Sequence, residues 1–322
     1  MLTPANVAAA LLLLVPYLAV AFFPQAMAEA AHRLPLWTRL ACPALLAIPY
    51  ALVTSAAGDF RWTWLALYAA LPVAIAVLLH QAARSDSRTF PAGRPLQPPQ
   101  APAGEPAQHG NWREFLIEFA VLAALGLAVD LRWFERAWPA HLAIFNKVLL
   151  LDAGIYGFVL IRRLDGAGFD LRLRLRDLGI GLRELVFYAP LALALGLSLG
   201  FLHAHAAWPG LVPIAQAWLF TFFFIAVPEE LFFRGWLQNL LERSLRQWSG
   251  GRMGRNAALI LTAALFGLAH FNKRTASFNW RYVLLAALAG IFYGRAWRRD
   301  RRVAASAVTH ASVDAIWSLW MR

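Results

Sequence analysis

The length of its apolar runs constrains this chain more than any other feature. A helix needs roughly 20 mostly apolar residues to cross a bilayer core. The sequence holds about ten candidate stretches of that kind, at 5–23, 38–56, 62–80, 114–132, 142–161, 185–203, 211–233, 256–272, 281–297 and 303–320. In lipid every backbone polar group has to be satisfied within the protein, so such segments fold as helices. The expectation is an all-α fold: a polytopic transmembrane helical bundle of about ten spans (roughly eight to ten), with any active site in a membrane-embedded cavity. Composition agrees. The chain is 60% hydrophobic and 15% charged, whereas soluble domains carry about a quarter charged residues. The run at 142–161 is interrupted by Asn146, Lys147 and Asp152, and the last run is short.

The formal net charge is +12. In a soluble protein that excess would point to nucleic acid. Here the basic residues lie between apolar runs, so they are read as topology signals, and membrane lipids rather than nucleic acid are the expected partners. Cytoplasmic loops hold an excess of Lys and Arg. Residues 162–183, 234–255 and 298–302 are rich in Arg, while 57–61 and 204–210 are nearly uncharged. Placing the basic loops inside puts both termini outside if there are ten spans, and leaves Lys273, Arg274 and Arg281 on the outer side, against the rule. The single cysteine, Cys42, permits no intrachain disulfide.

Four regions follow. Residues 1–80 form an N-terminal membrane region of three runs; the first lacks a basic leader segment and reads as a retained anchor rather than a signal peptide. Residues 81–113 hold six prolines and few apolar residues, the composition of an extended linker. Residues 114–168 supply two further runs and a loop. Residues 169–322 carry the motifs with chemical potential. At its start, 169–176 alternates apolar and basic residues, which fits a short strand by period or a segment at the headgroup surface with Arg on lipid phosphates.

Three polar sets interrupt the C-terminal runs. The first is Glu229, Glu230 and Arg234, after Pro228. A charge at bilayer depth costs about 2.5–3.5 kcal/mol on insertion scales, so it is a functional candidate. Glu230 and Arg234 are four apart and can pair on one helix face. Glu229 points about 100° away, so one carboxylate can be held while the other serves as a general base. The competing reading ends the span at Pro228 and makes the acidic pair an ordinary solvated helix start. The second set is Phe266 with His270, where a packed histidine is the commoner case. The third is His310 and Asp314, again four apart on one face, among small residues that permit close helix packing. Polar groups on separate lipid faces are costly, and less so around one wet cavity. A Glu with two His residues then supports two chemistries: a polarised water attacking a peptide carbonyl, or zinc held by Glu229, His270 and His310.

Glu-Glu-x-x-x-Arg, Phe-x-x-x-His and His-x-x-x-Asn/Asp in this order resemble the signature of the CAAX protease and bacteriocin-processing family, also called the Abi family. The resemblance covers about residues 170–320. It implies an intramembrane endopeptidase, multi-pass in a membrane such as the bacterial inner membrane, acting on a membrane-associated protein or peptide. By that resemblance Glu229 is the general base, assisted by His270; His310 and Asp314 stabilise the oxyanion; Glu230, Arg234 and Phe266 support the site. Asp314 stands where Asn is common, and an ionised Asp cannot donate a hydrogen bond. Zn2+ remains a candidate cofactor, with the metal-free route slightly favoured. The alternatives are a non-catalytic scaffold or chaperone of the same fold, and a proton-coupled transporter, against which the lack of a visible repeat counts.

Overall fold

The computed structural model of the chain describes residues 3–85, 112–205, 208–249, 251–271 and 278–321. Among the described residues every regular element is a helix. In chain order they are α1 (Pro4–Phe22), α2 (Pro24–Arg33), α3 (Leu36–Ala57), α4 (Trp62–Ser85), α5 (Trp112–Asp130), α6 (Ala140–Ile161), α7 (Leu175–Ser198), α8 (Leu211–Leu245, running on to Ser249), α9 (Gly251–Leu268), α10 (Trp280–Asp300) and α11 (Val303–Trp320). Most of the proline-rich stretch, and Lys273 and Arg274, lie outside the described residues.

Six of these helices, α1, α3, α4, α6, α7 and α8, are long and apolar enough to cross a membrane. The chain is thus a multi-pass membrane protein, all-helical among the described residues. The other long helices dilute their apolar stretches. Glu114 and Glu118 lie in α5, Arg281 and Arg295 in α10, and His310 and Asp314 in α11. All three stretches read as basic loops are partly helical, 298–300 as the end of α10. Residues 234–249 continue α8, and α7 starts already at Leu175.

The described chain divides into two compact units, one ending at Leu164 and one beginning at Asp165. The first packs α1 on α3 and α6, and α4 on α5. Its core holds Leu13, Tyr50, Val53, Tyr68, Trp138 and Leu149. Several polar groups inside it are closed off in pairs. The Trp138 indole donates to the Tyr68 hydroxyl at 2.7 Å, and that hydroxyl lies 2.8 Å from Asn146 Oδ1. Asn146, which interrupts an apolar run, is in this way built into the core. Arg162 pairs with Glu118 and lies 3.8 Å from Glu114, all of them buried.

The second unit packs α10 between α9 and α11, with α7 against both α10 and α11. Its entry segment, 165–174, forms no strand despite its alternation. Arg302, at the turn before α11, holds it instead. The guanidinium donates to Asp177 Oδ1 at 2.8 Å, Asp170 Oδ2 at 3.1 Å and the Arg172 carbonyl at 2.8 Å. Asp177 Oδ2 also accepts from the Arg174 amide at 2.9 Å and starts α7. Partial burial pushes the Asp170 carboxyl up, but hydrogen bonds from Arg172 and Arg302 outweigh it and hold the group below its ordinary value.

Candidate functional site

Pro228 does not end α8, contrary to what the sequence allows. The helix runs unbroken through it, with π-helical turns at Phe222–Ala226 and Leu231–Gln238 on either side of Val227–Glu230. Proline lacks an amide proton, and its ring crowds the preceding turn. The widened turn sits where that crowding falls, and π turns of this kind recur at functional sites. Glu229 and Glu230 therefore lie in mid-helix, and the reading as a solvated helix start fails. Glu230 and Arg234 are both fully buried.

The four-residue spacing does pair them: Arg234 Nη1 donates to Glu230 Oε1 at 3.1 Å. The same oxygen lies 2.8 Å from His310 Nδ1, which comes from α11. Arg234 Nη2 donates to the Gly290 carbonyl of α10 at 3.0 Å. Three helices are thus pinned at one ion pair. A buried charge is tolerated when it is paired and hydrogen-bonded; Glu230 is so held through Oε1, while its Oε2 has no hydrogen-bond partner among the described residues.

His310 is 3% exposed, and its other nitrogen faces two more carboxylates. Nε2 stands 3.5 Å from Asp314 Oδ2 and 4.0 Å from Glu229 Oε2. Unlike Glu230, these two side chains keep 31% and 28% exposure. All the groups facing the imidazole are acceptors, an arrangement satisfied when both ring nitrogens carry protons. The ring is also clamped by aromatics. Tyr293 stacks on its face at 4.7 Å and 15°, and Phe266 meets it edge-on at 5.7 Å and 89°.

His270 lies just beyond the end of α9 and is buried. Its Nδ1 is 2.8 Å from the Phe266 carbonyl. A proton held on Nδ1 by that carbonyl leaves Nε2 as an acceptor. Phe266 bridges the two imidazoles, with its centroid 4.9 Å from His270 and 5.7 Å from His310. Phe266 also carries the Arg234 guanidinium 4.6 Å from its ring centre, a cation–π contact. A cavity of about 110 Å³, mostly apolar, is lined by Phe266, His270, Tyr282, Tyr293, His310 and Asp314 among others.

The residues named from the sequence thus come together, and the structure adds Gly290, Tyr282 and Tyr293 from α10. Gly290 and Gly294 are the sequence signal that marks this helix, since small residues four apart allow close helix packing. Zinc does not fit the donors. Among the described residues no three His, Cys, Asp or Glu side chains are grouped to hold a metal ion.

Residues 209–316 match the family described as Type II CAAX prenyl endopeptidase Rce1-like. All seven motif residues lie within the match. No curated protein and no solved structure matches the chain.

Proposed function

We propose that this chain, whose residues 209–316 form a domain of the type II CAAX prenyl endopeptidase family, is an intramembrane endopeptidase that hydrolyses a peptide bond of a membrane-associated protein. One observation carries the reading: Glu229 and Asp314 converge on Nε2 of His310, and His310 and Asp314 line one cavity, on a frame of buried charges that involves α8, α10 and α11.

In this reading Glu229, the more open of the acidic pair, takes a proton from water as its oxygen attacks the peptide carbonyl. His270 presents Nε2 as a second acceptor for that water. His310, with a proton on Nε2, donates to the oxygen that becomes negative in the tetrahedral intermediate. Asp314 keeps that proton aimed at the cavity, a task within reach of either Asp or Asn. When the intermediate collapses, the C–N bond breaks and the proton held by Glu229 passes to the leaving amine. Glu230 and Arg234 hold His310 in place and touch no reacting atom. The helices α5, α9, α10 and α11 also sit at membrane depth in this reading, which brings the spans to about ten and places the cavity within the bilayer.

The test is peptidomics of membranes carrying the wild type or Glu229→Gln. The reading expects at least one cleavage product that is present with the wild type and missing with the variant. Identical product sets would overturn it. Ion flux through proteoliposomes, lost in the same variant, would favour a transporter instead.

A further inference from the structure

The sequence motifs account for the charged members of the site but not for what holds the imidazole in its plane. The contact between Nδ1 and Glu230 holds one edge of the His310 ring, and the two faces of the ring are left to be held by packing as χ1 and χ2 allow it to tilt. Tyr293 closes this freedom. Its ring lies nearly parallel to the imidazole, 15° apart at 4.7 Å, and is itself 2% exposed. Phe266 stands edge-on to both rings, at 5.8 Å from Tyr293. The Arg234 guanidinium lies 5.4 Å from the Tyr293 ring centre.

The backbone explains why Tyr293 can be there. Gly290 and Gly294 are four apart on α10 and face Ala263 and Leu259, four apart on α9. A Cβ at Gly290 would stand 3.0 Å from Ala263 Cα, and one at Gly294 would collide with Leu259 and come within 2.6 Å of Gln238 Oε1. Bare glycine lets α10 lie directly on α9. That close seat also brings the Gly290 carbonyl to Arg234.

We infer that Tyr293 is a positioning residue: its ring fixes the plane of the His310 imidazole, so that Nδ1 stays on Glu230 while Nε2 faces Glu229 and Asp314. The inference rests on the endopeptidase reading for its consequence, but not for its geometry. Displacing a reacting group by about 1 Å costs about 100-fold in rate. The stack predicts that Tyr293→Leu lowers kcat by about that factor and changes KM little. Tyr293→Phe, which keeps the ring, should restore the rate.

The experiment has two arms, on reconstituted full-length protein. The first measures kcat and KM with a peptide spanning a Glu229-dependent cut. The second records the NMR shift of the His310 Cε1 proton, assigned with His310→Gln, because a stacked ring displaces that signal. Support is a rate loss in Tyr293→Leu confined to kcat, a displaced signal, and recovery of both in Tyr293→Phe. The inference is overturned if Tyr293→Leu keeps its rate, or if Tyr293→Phe loses rate or signal as much as Leu does. Should Tyr293→Leu not fold, Tyr293→Phe decides alone, since it has to keep both. If Glu229→Gln cleaves as fast as the wild type, the endopeptidase reading fails, while the NMR arm still decides the stack.

Discussion

Both units of the molecule bury carboxylates among apolar helices, and they treat them differently. In the N-terminal unit Glu118 is closed off by Arg162, and the Asp152 carboxyl, 5% exposed, has no hydrogen-bond partner among the described residues. In the C-terminal unit Glu230 is shared between Arg234 and His310, and it holds a histidine against two carboxylates that remain partly open. Burial of charge alone is therefore no mark of chemistry. What distinguishes the second unit is that its buried pair holds a histidine that lines a cavity.

Cutting the two arginine pairs breaks the comparison most sharply. Arg162→Leu takes the guanidinium from Glu118, and Arg234→Leu takes it from Glu230 and leaves that carboxylate only His310; removing one partner of a buried pair costs about 3–5 kcal/mol. Thermal unfolding should show both losses. Cleavage per folded molecule should collapse only for Arg234→Leu. Equal activity loss in the two variants would remove the distinction. A smaller effect separates the roles of Asp314. Asp314→Ala should lower the rate by about 100-fold, the scale of a misplaced reacting group. Asp314→Asn should stay near the wild type, because an amide can also hold the Nε2 proton toward the cavity.

Asp152 offers a still smaller change of opposite sign. Replacing an unsatisfied buried polar group by an apolar one of similar shape recovers about 1 kcal/mol or more. Asp152→Leu should raise the melting temperature and leave cleavage unchanged; a loss of activity would give the N-terminal unit a chemical role. The smallest effect concerns Asp170. Its folded value lies below the ordinary one, so its bonds to Arg302 and Arg172 add stability above about pH 3.9. That stability is lost as pH falls through the lower folded value. Asp170→Asn should remove this acid-side component from a melting-temperature titration.

The sequence exposed the helices and the local pairs, because both are set by periodicity. Glu230 and Arg234 are one turn apart, and so are His310 and Asp314, and each pair meets as its spacing requires. Contacts made across the fold were not legible. His310 meets Glu230 over 80 residues of chain, and Arg162 meets Glu118 over 44. Spacing says which face a residue occupies but not which helix lies opposite. The competing reading, in which the span ends at Pro228, fails because neighbouring π turns absorb the proline. Tyr293 went unnoticed for a related reason. An aromatic in an apolar helix looks like core until the ring it stacks on is known, and only the Gly290–Gly294 spacing hinted at the close contact.

The central claim is that Glu229 activates water while the Glu230, Arg234 and His310 frame stays intact. Its most direct test is the cleavage rate of purified Glu229→Gln in liposomes, with the peptide spanning the native cut, alongside its melting temperature. The account predicts a rate lower by about 100- to 10,000-fold, the range for a general base, with the melting temperature unchanged. A variant that cleaves at the wild-type rate would contradict it.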